Sequence, residues 1–333
     1  MQFRAPLVAD GYAAKTAGDA LLVYLPGFDG ANLAPFLQWP ALHDAGFDVR
    51  CASIDEDDRS TFDELVKAAS SYIEREACDR PCLLVGESFG GALATVVAQQ
   101  ASNVVEGVVL VNPATCYAES ALASKAPPIL ELPAWAYYVG LASLLPLFVD
   151  RHGVRALFDI VTNKRLPCVI ETPRQEAYMG RVALSLPERI ARMPRGTLAW
   201  RLREWLDVGA KVDVGALKQP TLVVFGDEDN TLPTEREAAR VVALLTKARA
   251  VRVPGAGHAA TLGSRVDLRA EVAAFFGAEP GFSFLAGAPR KMRADASQDG
   301  EASSLYGLYP RTHAPVAVFD YFNAENDARV GVR

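Results

Sequence analysis

The chain has 333 residues, half of them hydrophobic, and a formal net charge of −6. That length and apolar content suffice for one large core plus an insertion or tail. The acidic balance, with no Lys/Arg cluster, excludes nucleic acid as the main partner.

Five Cys stand at irregular spacing, away from His. They read as free buried thiols in a reducing compartment, and no metal or cofactor is expected. The N-terminal stretch MQFRAPLVADGYAAKTAGDA has no apolar h-region and no small-residue cleavage site. It reads as neither a secretory signal nor a transit peptide, so an intracellular setting is expected.

Residues 20–25 (ALLVYL) form an apolar run closed by Pro26-Gly27, a buried strand entering a turn. A second strand is predicted over 47–52, followed by an acidic loop at 55–58. Over 61–76, Phe62, Leu65, Val66, Ala69, Tyr72 and Ile73 recur at the spacing of an amphipathic helix. A third strand is predicted over 82–85, then a Gly-rich turn, a small-residue helix over 92–100 and a fourth strand over 107–111. Buried strands alternating with helices imply a mostly parallel central sheet flanked by helices.

From about 115 to 214 the patterns are helical, with no strand. Alternation returns with a strand over 221–225, a helix over 234–246, a strand over 250–253 and a helix over 266–276. The expected organisation is a core of residues 1–114 and 215–278, a helical cap insertion over 115–214, and a linker and tail over 279–333. Within the tail, 288–304 is a polar linker and 316–322 (VAVFDYF) a short strand.

Gly86-Glu87-Ser88-Phe89-Gly90-Gly91 fits G-x-S-x-G between a buried strand and a small-residue helix. That is the strand–turn–helix setting of a nucleophile elbow, and it points to the α/β-hydrolase fold with Ser88 as nucleophile. A serine needs an adjacent base. Of the four His, His258 follows the last predicted strand in GAGHA and is the candidate; His43, His152 and His313 lie in polar surroundings.

The acid belongs after the strand TLVVF, in Gly226-Asp227-Glu228-Asp229-Asn230. Asp229 is favoured over Asp227, with Glu228 pointing to solvent. The order Ser…Asp…His is that of the α/β-hydrolase fold. A tetrahedral intermediate needs two N–H donors. Phe89 supplies one, and Phe28, in the turn LPGFDG, the other. Asp29 in that turn is read as a turn residue rather than a catalytic acid.

Residues 132–149 carry no charge and include Trp135, Tyr137, Tyr138 and Phe148, but Pro133, Gly140 and Pro146 interrupt them. A cap helix is expected there rather than a membrane span. Its apolar face suits an acyl or isoprenoid chain and peripheral contact with a membrane surface. A second amphipathic element, 196–208, holds Trp200 and Trp205, assigned to packing.

Seven segments resemble the plant plastid esterase/lipase/thioesterase family that includes the phytyl ester synthases: LVYLPGFDG, FDVRCASIDEDDRSTFDELV, LLVGESFGGALA, LVNPAT, TLAWRLREWL, GDEDNTLPT and GAGHAATLG, between residues 21 and 276. The resemblance implies Ser88, Asp229 and His258 as nucleophile, acid and base. It also implies acyl transfer or ester hydrolysis on lipophilic substrates in plastids, such as phytyl esters, galactolipids or diacylglycerol. The family is two-part, with an acyltransferase-like region after the hydrolase region. Only the hydrolase part is matched here, so hydrolysis, or transfer through a Ser88 acyl-enzyme, is the expectation. A hydrolase-fold binding module for a hydrophobic ligand is the alternative. Dehalogenation and epoxide opening need a carboxylate at the elbow, which Ser88 replaces.

Overall fold

The computed structural model describes residues 1–8, 12–15, 19–31, 34–144, 147, 193–262 and 266–286, and the backbone of 166–167 and 308–309. His152, His313, Cys168, Phe148, the 288–304 linker and the 316–322 strand lie outside the described residues.

The strands in chain order are β1 (Gln2–Arg4), β2 (Ala20–Leu25), β3 (Phe47–Ser53), β4 (Cys82–Glu87), β5 (Val105–Val111), β6 (Leu166–Pro167), β7 (Thr221–Gly226), β8 (Ala248–Val253) and β9 (Leu308–Tyr309). Seven form one sheet in the order β1-β3-β2-β4-β5-β7-β8. All neighbours are parallel except β1, which runs antiparallel to β3. β6 pairs with β9 apart from this sheet, a short strand in a stretch read as wholly helical. Neither β1 nor β6 is long enough to show periodicity.

β2 is buried throughout. Its alternate residues serve opposite cores, Leu21, Val23 and Leu25 one way, Leu22 and Tyr24 the other. This explains the unbroken apolar runs, since a parallel sheet is covered on both faces. The first core packs under α2 (Phe62–Ala77) and α3 (Phe89–Gln100), the second under α1 (Trp39–Asp44) and α8 (Leu268–Phe276). Thr61 starts α2 with a capping box, its side chain accepting from Glu64 N–H while the Glu64 carboxylate accepts from Thr61 N–H.

The second core also takes Phe282 and Leu285 from a 3-10 helix, Pro280–Leu285. The core therefore runs past residue 278, the boundary read from the sequence, with the Phe282 ring packed against Phe47 and Phe276.

Between β5 and β7 lie α4 (Ala121–Leu130), α5 (Ala134–Ala142) and α6 (Arg195–Trp200), which passes into a π-helical turn, Arg201–Leu206. Helix α7 (Thr234–Leu244) joins β7 to β8. Among the described residues no helix is long and apolar enough to cross a membrane.

Chain growth reverses between β2 and β4: β3 lies on one side of β2, and β4, β5, β7 and β8 on the other. In open α/β sheets the crevice at such a switch point, beyond the carboxyl ends of the strands, is where ligands bind. Two loops meet there, the Pro26-Gly27-Phe28 turn after β2 and the Ser88 turn after β4.

Helix α3 begins at Phe89 rather than at the predicted 92. Gly90 reads as turn chemistry in sequence, but its role is close approach: a Cβ there would collide with the backbone carbonyls of Leu25 and Pro26. Gly90→Ala is expected to lower the unfolding free energy by at least ~2 kcal/mol, the overpacking penalty of a tight core site, as measured by urea denaturation.

Candidate active site

Ser88 sits between β4 and α3 with φ 53° and ψ −118°. Non-glycine residues rarely hold such a conformation, which costs of order 1–3 kcal/mol and persists only where the surroundings enforce it. Three backbone hydrogen bonds do so: Ser88 N–H donates to Val111 O at 2.9 Å, and Ser88 O accepts from Gly91 N–H at 2.9 Å and Ala114 N–H at 2.8 Å.

His258 follows β8, and its Nε2 lies 3.0 Å from Ser88 Oγ. Its Nδ1 lies 2.9 Å from Asp229 Oδ2. The other carboxylate oxygen of Asp229 accepts from Thr231 N–H at 2.7 Å and Leu232 N–H at 3.1 Å, which fixes the carboxyl plane. With Nδ1–H donating to Asp229, Nε2 presents a lone pair to the serine hydroxyl.

The structure thus brings Ser88, His258 and Asp229 together. Asp227 is engaged elsewhere, with Gly255 N–H and, at 2.9 Å and 2.7 Å, the Arg252 guanidinium. Glu228 is exposed. His43, read as lying in polar surroundings, is instead largely buried edge-on to Tyr12, with Nε2 3.1 Å from Ala13 O. Asp48 is held by Arg50 and Arg80, each at 2.9 Å. Among the described cysteines, Cys51, Cys82 and Cys116 are buried, whereas Cys78 is exposed at the left-handed end of α2, contrary to the buried reading.

The turn after β2 lies directly on Ser88: a Cβ on Gly27 would come within 3.7 Å of Ser88 Cβ. Phe28 is partly buried there, and Asp29 Oδ1 accepts from Ala31 N–H at 3.3 Å, the turn role read from sequence. Phe89, the first residue of α3, has one of the N–H groups that a helix start leaves without an intrahelical partner.

Sequence reasoning missed three residues. Asn112, at φ 41° after β5, accepts from Gly226 N–H at 3.0 Å and donates to the carbonyls of His258 and Gly257, clamping the loop after β7 to the His258 loop. Its signal was an Asn-Pro step after a buried strand, a left-handed position that Asn tolerates. Arg201 and Trp205 meet the Phe28 and Phe89 residues respectively. They carried only a helical, packing signal.

Burial alone would lower the His258 pKa, but the Asp229 charge and hydrogen bond, helped by Glu87 and Asp29, leave it raised above the ordinary 6.5. Glu87, buried beside Ser88, is pushed up to about 7 by desolvation, against the Tyr24 hydroxyl that donates to it at 2.8 Å. Asp29 is solvent-accessible, yet enough protein surrounds it that desolvation raises its carboxyl as well, against Ala31 N–H and Arg201.

A family model described as alpha/beta hydrolase family matches residues 5–275. The chain belongs to that family. It is similar to phytyl ester synthase 1, chloroplastic, of Arabidopsis thaliana, 30% identical over 254 residues that cover 74% of this chain and 35% of that protein. It is similar also to phytyl ester synthase 2, chloroplastic, of the same plant, 28% identical over 272 residues, 77% of this chain and 37% of that protein. The chain thus spans little more than a third of the length of these relatives. Among solved structures it resembles an esterase from Rhodococcus sp. ECU1013, with TM-score 0.54 and 16% identity over 80% of this chain and 93% of that one. At that identity the likeness is one of fold.

Two titrations follow. In NMR, the His258 imidazole is expected to titrate above 6.5, and in Asp229→Asn to fall, because burial then acts without its opposing charge. Glu87 binds more protons folded than unfolded between pH 4.5 and about 7, so its contribution to stability falls as pH rises through that window. Glu87→Gln is expected to gain stability relative to wild type across it, reaching roughly 3 kcal/mol at about 1.4 kcal/mol per pH unit, in urea denaturation at stepped pH.

Proposed function

We propose that this chain is a serine-dependent ester hydrolase or acyltransferase for lipophilic acyl esters of the phytyl, galactolipid or diacylglycerol class, working through an acyl-enzyme on Ser88. The observation that carries the reading is the continuous hydrogen-bond chain from Ser88 Oγ through His258 to Asp229, at 3.0 Å and 2.9 Å.

In this reading Ser88 Oγ attacks the acyl carbonyl as its proton passes to His258 Nε2. Asp229 holds the imidazole in the right tautomer and stabilises the imidazolium. The N–H groups of Phe28 and Phe89 receive the oxyanion, each worth roughly 10²–10³ in turnover. The tetrahedral intermediate collapses, His258 returns the proton to the departing alcohol, and the acyl group stays on Ser88. Water or a second alcohol, deprotonated by His258, then attacks the acyl-enzyme and releases acid or a new ester.

The segment 115–214 is assigned to a cap over the sheet-and-helix core, which takes in Phe282 and Leu285 as well. Trp135, Tyr138 and Val139 on α5 are exposed, an apolar surface suited to acyl chains or peripheral membrane contact. The chloroplastic names of the two Arabidopsis relatives support a plastid setting.

Ser88→Ala is expected to abolish hydrolysis of a medium-chain p-nitrophenyl ester and labelling by a fluorophosphonate probe. Full activity in that variant would refute the reading, and a wild-type chain silent to the probe that still holds a lipophilic ester would mark a binding module. Asp229→Asn is expected to cost roughly 10⁴ in kcat, and Asp227→Asn less than about tenfold. Because the base must be neutral, kcat/KM is expected to fall as pH drops through the raised pKa of His258, an acid limb above 6.5 that moves down in Asp229→Asn.

A further inference from the structure

We propose that Arg201 is a positioning residue for the oxyanion turn, its guanidinium tying the Phe28 carbonyl to the Asp55 carbonyl and so fixing the backbone that aims the Phe28 N–H. The inference rests on the reading of Phe28 and Phe89 as the oxyanion donors.

Arg201 is fully buried. Its Nη1 donates to Phe28 O at 2.7 Å and its Nη2 to Asp55 O at 2.8 Å. Phe28 follows β2 and Asp55 follows β3, so one planar fork spans two loops at the carboxyl end of the sheet. Among the described residues Nε has no hydrogen-bond partner and no carboxylate lies within ion-pair distance of the guanidinium. Asp29 acts on it only through space, and desolvation pulls its pKa down to about 10.

A buried charge without a paired carboxylate costs several kcal/mol, and an apolar residue of similar volume would commonly serve stability as well or better. What the guanidinium supplies instead is geometry. Two carbonyls at a fixed separation match the Arg fork, which a Lys ammonium does not reproduce.

Trp205 extends the device to the second donor. Its ring lies 4.4 Å from the Arg201 guanidinium carbon and stacks on Phe89 at 4.8 Å and 13°. Arg201 and Trp205 are four residues apart on the π-helical turn, and such turns are frequent at functional sites. The turn is anchored: Trp205 Nε1 donates to Ser60 O at 2.8 Å, and Thr197 Oγ1 to Glu56 O at 2.7 Å. One helical segment therefore bears on both residues whose N–H groups would meet the oxyanion.

The test compares Arg201→Lys and Arg201→Gln with wild type, as the full chain, on a medium-chain p-nitrophenyl ester, per site titrated with a fluorophosphonate. A donor displaced by an ångström is expected to lower kcat roughly 10- to 100-fold, with KM within about twofold. Affinity for a trifluoromethyl ketone, held by Ser88 as a tetrahedral oxyanion, should fall by the same factor as kcat/KM. If the variants lose only thermal stability and active fraction, with kcat per site and ketone affinity unchanged, the proposal is overturned. Where neither variant folds, Trp205→Leu, which removes the ring beneath the guanidinium, is read by the same split. Ser88→Ala separates the two levels. If it retains the hydrolysis, both the function and the Arg201 inference fall. If it is inactive while the Arg201 variants work at wild-type rates per site, only the inference falls.

Discussion

The left-handed backbone of Ser88 is the constraint from which the rest of the site follows. A serine at φ 53° would relax in a free peptide. It is held because β4 must turn into α3 within one residue, with Gly86 and Gly90 letting the helix backbone lie against the strand and the end of β2. A Cβ on Gly86 would strike the Gly90 carbonyl, so neither position has room for a side chain. The result is a hydroxyl projected from the carboxyl edge of the sheet, at the switch point, with a helix N-terminus behind it.

Around that hydroxyl the electrostatics sort one imidazole among several acids. Asp229, Glu87 and Asp29 all act on His258, but Asp229 alone is hydrogen-bonded to it among the described contacts. Glu87 is kept apart by its own partner, Tyr24, in the apolar layer beneath the elbow, where desolvation favours its neutral form. Asp227, two residues from Asp229, faces Gly255 and Arg252 and stabilises the loop that carries His258. Neighbouring carboxylates thus take separate duties through the groups that each one meets.

Two of the resembling segments, FDVRCASIDEDDRSTFDELV and TLAWRLREWL, dock on each other. Arg59 donates to Thr197 Oγ1 at 2.9 Å, Trp200 and Trp205 both reach Ser60 O, and Arg201 reaches Asp55 O. The loop after β3 is thereby joined to helix α6 and its π-helical turn, late in the stretch between β5 and β7, and through Arg201 to the turn after β2. Most of these contacts end on backbone carbonyls, so they hold loop shape and leave the loop's own side chains, several of them acidic, toward solvent.

The sequence by itself determined the sheet–helix alternation, the strand–turn–helix around Ser88 and the place of His258 after the last strand of the sheet. Those signals are local: unbroken apolar runs, a glycine pattern around one serine, and a histidine leaving the last strand. It narrowed the carboxylate to one loop and favoured Asp229 over Asp227, but both follow β7 and spacing alone does not say which faces the imidazole. Tertiary structure decided that, since Arg252 and Gly255 occupy Asp227 while the Thr231 and Leu232 amides orient Asp229. It likewise supplied the antiparallel edge strand β1, the early start of α3 and the roles of Asn112 and Arg201. Asn112 and Arg201 each act on residues more than a hundred positions away in the chain, a distance that periodicity and motif spacing do not span.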